Sequence, residues 1–219
     1  MKVSITFIDQ AKNLSMLLGA LFLAVELQAQ PLQGKVEVRG LMGSVLYSAP
    51  GGQEMPVRVK SAIPVGALIK TAQGAAVDLS FGQNAGVVRL LQNSRLMLER
   101  FNVLDSSAGA PVDLQLNLLE GTILGFDQKV SSGSKYRVKV TDGIAEVSGT
   151  KYRINAQGYL VVLQGNALFA FVPSNGEPVP YELHGASPVY FSPTEGIRSA
   201  PGELVREVVL QTKGQLKGK

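Results

Sequence analysis

The chain has 219 residues, a formal net charge of +4 and a pI near 9.3, with no cysteine, no tryptophan and one histidine. The absence of cysteine excludes a disulfide framework, a thiolate metal site and a lipid-modified N-terminal cysteine. A single histidine, His184, excludes a histidine-rich metal site, and a mild excess of base serves solubility without specifying a partner.

The first element is an apolar run, "LSMLLGALFLAV" from Leu14 to Val25, preceded by a lead-in carrying Lys2 and Lys12. It has the length of a signal-peptide core and falls short of the ~20 residues of a membrane-spanning helix. The expectation is a cleaved secretory signal over 1–29, cut after Ala29, although Leu27 is larger than usual for a recognition position and Asp9 is untypical of the lead-in. The alternative, a retained anchor, has to borrow length from polar flanks. Export places the mature chain in the periplasm or outside the cell, removes nucleic acid as a partner and leaves nothing spanning the membrane. About 190 residues remain, enough for one domain that buries about 70% of its unfolded surface.

Residues 30–195 read as short runs of period two broken by glycine-bearing turns. Val36 and Val38 alternate with charge, and Val77, Leu79 and Phe81 alternate with Ala76, Asp78 and Ser80 before a turn at 82–84. In "PVDLQLNLLEG", Val112, Leu114, Leu116 and Leu118 face one way and Asp113, Gln115 and Asn117 the other, a strand with one wet face. "YLVVLQGNALFAFV" reads as two strands around Gln164–Asn166, and its continuous apolar runs suggest strands covered on both sides. The predicted fold is all-β: a two-layer sandwich or short solenoid-like stack of mostly antiparallel short strands. The segment 196–219 closes it with a short helix and a basic tail, in which Leu204, Val205, Val208 and Val209 recur at helical spacing, Ser199 is the expected cap and Pro201 lies in the first turn.

Asp142-Gly143 predicts a two-residue type I′ hairpin loop. In that register Val138 faces Val147, Lys139 faces Glu146 and Tyr136 faces Gly149. The run "TDGIAEVSGTKYRIN" then breaks parity, since Ala145 and Val147 are odd but Tyr152 and Ile154 are even. A bulge at Gly149-Thr150 restores the faces, with Tyr136 covering Gly149, and makes a corner where the strand bends or changes sheet.

These residues carry a resemblance. "MGSVLY" (42–47), "VGALIKTAQGAAVDLSF" (65–81), "LNLLEGTIL" (116–124), "YRVKVTDGIAEVSGTKYRI" (136–154) and "LVVLQGNALFAF" (160–171) together resemble the FecR-like domain proteins of bacterial envelopes. The resemblance implies an all-β extracytoplasmic domain of sensory or binding type without enzymatic activity. The regulators that gave the family its name add an anti-sigma segment, a full membrane span and a receptor-docking domain. The chain departs from all three and resembles the stand-alone exported type.

Catalytic motifs are weak. Ser132-x-x-Lys135 and Ser148-x-x-Lys151 have a serine-lysine spacing but no helical setting. "GGQ" at 51–53 reads as a hairpin loop, and Asp105, Asp113 and Glu120 as turn or solvated-face carboxylates. No catalytic, cofactor or metal residue is assigned. Lys135, Arg137, Lys139, Lys151 and Arg153 form a basic stripe on the outer face of the hairpin, either a solubilising face or a contact for an anionic glycan or envelope protein. The expected function is a non-catalytic exported binding, scaffold or sensory module, with an envelope-signalling regulator of sigma/anti-sigma type and a secreted carbohydrate-active hydrolase as alternatives.

Overall fold

The computed structural model describes residues 31–82, 85–104, 109–126, 131–173, 176–185, 187–213 and 216. The expected signal peptide, Gln83 and Asn84 of the predicted turn, and Asp105 lie outside them. Among the described residues no helix is long and apolar enough to cross a membrane.

The elements in chain order are β1 (Leu32–Gln33), β2 (Val36–Met42), β3 (Val45–Ser48), β4 (Glu54–Pro56), β5 (Ala62–Ile63), β6 (Leu68–Thr71), β7 (Ala76–Ser80), β8 (Val87–Leu90) and β9 (Ser94–Val103). There follow β10 (Val112–Glu120), β11 (Thr122–Phe126), β12 (Lys135–Val140), β13 (Gly143–Asn155), β14 (Leu160–Phe171), β15 (Val179–His184), β16 (Val189–Ser192), β17 (Gly196–Ser199) and the helix α1 (Gly202–Thr212). The fold is all-β, and of the described strand pairs only β10–β12 runs parallel.

Two series of neighbours share one curled sheet. The first layer runs β5–β2–β7–β8–β11, then the C-terminal half of β13, the N-terminal half of β14, and β16–β17. The second runs β4–β3–β6–β9–β10–β12, then the N-terminal half of β13, the C-terminal half of β14, and β15, with β1 beside β9. Inward side chains of both series, among them Val36, Leu79, Leu90, Leu98, Leu116 and Val138, form one core. β13 and β14 belong to both layers, so the layers are halves of one sheet.

The transfer takes place at a pair of bulges. β13 buries Ala145 and Val147, exposes both Ser148 and Gly149, and then buries Thr150, Tyr152 and Ile154. The parity break at Gly149-Thr150 is therefore a bulge, and across it β13 exchanges β12 for β11. Thr150 is 2% exposed. Its hydroxyl accepts from the Ser148 N–H at 3.0 Å and donates to the Asn166 carbonyl at 2.8 Å, with the Ser148 carbonyl at 2.9 Å. Opposite it, Gln164–Asn166 does not make the predicted turn: β14 runs through as one strand, with Gly165 at φ +83°. A Cβ on Gly165 would lie 2.5 Å from the Gly149 carbonyl oxygen, so the two bulges nest.

Several local expectations are corrected. The loop before β13 is Thr141-Asp142, with Val140 opposite Gly143, Val138 opposite Ala145 and Arg137 opposite Glu146. This register is displaced by two residues from the expected one, which preserves every face. Gly143 has no positive φ; it is required because a Cβ there would meet the Ala170 carbonyl oxygen at 2.5 Å and the Phe169 ring at 2.9 Å. Gly149 has nothing within 4 Å of a Cβ, so Tyr136 does not cover it. On the facing strand β11, Gly125 is covered by a ring: it lies directly opposite Tyr152, whose ring would be 2.0 Å from a Cβ on Gly125. At the C-terminus Ser199 ends β17, and the residue before the helix is Pro201, without a side-chain cap.

The alternation on β10 is as expected, with Val112, Leu114, Leu116 and Leu118 buried. β7 and β8 are buried on both faces, and α1 packs Leu204 and Val208 against Val87 of β8 and Leu124 and Phe126 of β11. Of the two apolar runs in β14, only the first is covered on both sides; in the second, outward Leu168 is 44% exposed.

Gly149→Ala should cost about 1–2 kcal/mol, the strain of a left-handed backbone in otherwise open space. Gly165→Ala should cost about 1–3 kcal/mol more, because it adds overlap with the facing carbonyl. Denaturant midpoints of the two variants measure this, and equal losses would show that the bulges do not nest.

Candidate functional site

The five residues of the predicted basic stripe do not form one free surface. Lys135 is exposed at the start of β12, but Arg137 is paired with Asp113 at 2.7 Å and Lys139 with Glu99 at 3.0 Å. Lys151 flanks the bulge. Arg153 lies beyond it in the first layer, 3.9 Å from Glu207 of α1. The change of layer at Gly149-Thr150 therefore parts Arg153 from Arg137 and Lys139. Asp142 and Gly143 lie at the hairpin end of β13 and Gly149 and Thr150 at its corner, so all four shape the strand.

On the outer face of the second layer the charges form a ladder across β9, β10 and β12. Asp113 takes hydrogen bonds from Arg100 at 2.9 Å and Arg137 at 2.7 Å. Glu99 takes them from Gln115 at 2.6 Å, Asn117 at 2.7 Å and Lys139 at 3.0 Å. Burial pushes the Glu99 carboxyl up, but the hydrogen bonds from Gln115, Lys139 and Asn117 outweigh it and hold the group below its ordinary value. Burial likewise opposes ionisation of Asp113, and the bonds and charges of Arg100 and Arg137 outweigh it. Both carboxylates are stabilised in the ionised form.

Beneath α1 is a second charged pair that sequence reasoning missed. Arg89 grips Asp78 through two bonds, Nε to Oδ1 at 2.6 Å and Nη2 to Oδ2 at 2.7 Å, and both residues are buried. Its Nη1 donates to the Gln211 carbonyl at 2.6 Å, and Phe126 lies 5.5 Å below the guanidinium. The arginine thus satisfies a carbonyl in the last turn of α1, where a cation also complements the helix dipole. A charge inside each of the apolar runs "AVDLS" and "VVRLL" was the available signal.

Beside α1 on the first layer is a shelf of aromatic and charged side chains. Arg153, Val161, Tyr190 and Arg198 are successive cross-strand neighbours on β13, β14, β16 and β17. Tyr159, in the turn before β14, stacks on Tyr190 with ring centroids 6.0 Å apart and planes 20° from parallel. Asn155 holds that turn, its Oδ1 accepting from the Tyr159 N–H at 2.9 Å. Burial pushes the Tyr190 phenol up, with Ser192 opposing as a hydrogen-bond partner. Arg198 lies 3.7 Å from Glu195. The parts come from four chain segments, which is why no local motif announced them.

The catalytic candidates are dispersed. No hydrogen bond joins Ser132 to Lys135 or Ser148 to Lys151 among the described residues. His184 is on the surface, 3.2 Å from Asn166 and 3.5 Å from Glu182. "GGQ" lies in the loop between β3 and β4. Among the described residues no group of three or more His, Asp or Glu side chains is placed to hold a metal ion.

The ladder gives stability a pH dependence. Because Glu99 and Asp113 titrate lower in the folded chain than unfolded, their contribution is full above the ordinary values of 4.5 and 3.8 and is lost as pH falls through the lowered folded ones. The unfolding midpoint should fall below about pH 4.5. Glu99→Gln with Asp113→Asn should lower stability at neutral pH and flatten the acid loss. An acid loss equal to that of the unsubstituted chain would assign it to other carboxylates.

A search of curated proteins finds no match to the chain. Residues 67–168 match the family model described as FecR protein. That span is narrower than the 42–171 over which the motifs resemble the family, and it runs from the start of β6 into β14, taking in the Gly149-Thr150 bulge. A FecR-family domain is thus matched over part of the chain, residues 67–168, and domains of that family are non-catalytic regulatory modules.

Proposed function

We propose that the protein is an extracytoplasmic, non-catalytic module that regulates an envelope-signalling pathway by binding. The observation that carries this reading is the family match over 67–168, which includes β13 and most of β14, the strands that join the two layers. The apolar run Leu14–Val25 behind a lysine-bearing lead-in supports export, with a mature chain beginning near Gln30.

A hydrolase acting through carboxylates fits less well. Such an enzyme needs one carboxyl group held protonated by a raised pKa. Among the described residues, Glu99 and Asp113 are the carboxylates with shifted titration, and both are biased toward ionisation, Glu99 by Gln115, Lys139 and Asn117 and Asp113 by Arg100 and Arg137. The ion-paired ladder also favours partner recognition over attraction of polyanions, since Arg137 and Lys139 are already neutralised.

Deleting the gene should change the transcript levels of a restricted gene set several-fold, and the exported chain should restore them. Mass spectrometry of that chain should find an N-terminus near Gln30. Unchanged transcripts with a weakened envelope would favour a scaffold, and an intact N-terminus on the exported protein would overturn the cleaved-signal reading.

A further inference from the structure

We infer that the shelf between α1 and β17 is a saccharide-binding site that takes an uncharged oligosaccharide over Tyr159 and Tyr190. The inference goes beyond the regulatory reading and does not depend on it, because a sugar can be bound with or without a transcriptional response.

The argument begins with the surface. Tyr159 is 37% exposed at the open side of a near-parallel ring pair. Stacked tyrosines present an apolar face of low conformational entropy with a polar hydroxyl at the edge. The Tyr159 hydroxyl has no hydrogen-bond partner among the described residues. At Gly196, two residues before Arg198 on β17, a Cβ would find nothing within 4 Å.

The polar rim supplies the second observation. Arg153 belongs to the same cross-strand row as Tyr190, and its side chain is 27% exposed. Arg153–Glu207 and Arg198–Glu195, at 3.9 and 3.7 Å, are longer than hydrogen bonds, so both guanidinium groups and both carboxylates keep unused donors and acceptors. The rim is balanced in charge, with two arginines against two glutamates, which gives no drive toward a polyanion. An apolar platform ringed by paired donors and acceptors suits a ligand with apolar C–H faces and a periphery of hydroxyls that both donate and accept. A sugar ring has that form.

The site also joins the family domain to this chain's own C-terminal segment. Arg153 and Tyr159 lie inside 67–168, whereas Tyr190, Glu195, Arg198 and Glu207 lie beyond it. Recognition would thus be a property of this chain's combination of parts.

Because the chain has no tryptophan and two of its six tyrosines form the shelf, tyrosine emission is the readout, with Tyr159→Ala assigning the change to the site. Cellotetraose and chitotetraose are the neutral probes, titrated into the exported chain, with heparin as a polyanionic control. At least one neutral probe should give a saturable change that Tyr159→Ala weakens tenfold or more and Tyr159→Phe largely keeps. Arg153→Gln should weaken the same probe. Unchanged circular dichroism of Tyr159→Ala shows that an exposed ring has been removed without unfolding. No saturable response to either neutral probe, a response that Tyr159→Ala leaves intact, or binding of heparin alone overturns the inference.

Discussion

The structure depends on one close approach, the contact of Gly165 with the Gly149 carbonyl where β13 and β14 bulge together. Two adjacent strands that bulge at the same level bend as a pair, so their mutual hydrogen bonding continues while their outer neighbours change. β13 exchanges β12 for β11, and β14 exchanges β15 for β16. The backbones have to come close enough to nest, which requires glycine at 165, and the freed polar groups have to be satisfied in a buried corner. The Thr150 hydroxyl meets that second requirement from within the bulge.

The same corner determines what each outer face presents. Before it, β13 contributes to a face of ion-paired charge in which Glu99 and Asp113 hold the cations of β9 and β12. Beyond it, Arg153 emerges beside α1 and across from Tyr190. The helix is fixed to this second face by the buried Arg89–Asp78 pair and by apolar packing of Leu204 and Val208. A buried ion pair adds little net stability over a well-packed apolar pair, but leaving one partner alone is strongly unfavourable. Arg89 and Asp78 therefore act by fixing where the helix ends, and the shelf lies along the flank so defined.

Much of the fold was legible because strand faces follow a period of two. Val112–Leu118 and the parity break at Gly149-Thr150 could be read directly. The hairpin register could not, since a shift of two residues leaves every face unchanged and only the turn can choose between the alternatives. Asp142-Gly143 suggested a type I′ loop, but Gly143 is there to make room for Phe169 and the Ala170 carbonyl. Gln164–Asn166 misled for a related reason: a turn and a bulge both call for glycine at positive φ. The basic stripe was legible as sequence and dissolved in space, because Asp113 and Glu99 come from strands well upstream and the corner carries Arg153 to the other layer. The tyrosine shelf had no local signal, as Tyr159 and Tyr190 meet only once β14 has paired with β16.

If β13 and β14 join the layers as described, the sheet opens as one cooperative unit. Native-state hydrogen exchange measures this directly by comparing Val138 and Ala145 in the second layer with Ile123 and Tyr152 in the first. The predicted result is a common opening free energy that declines with denaturant at a common slope. Separate opening of one layer, at a clearly lower free energy and with a slope of its own, would contradict the account.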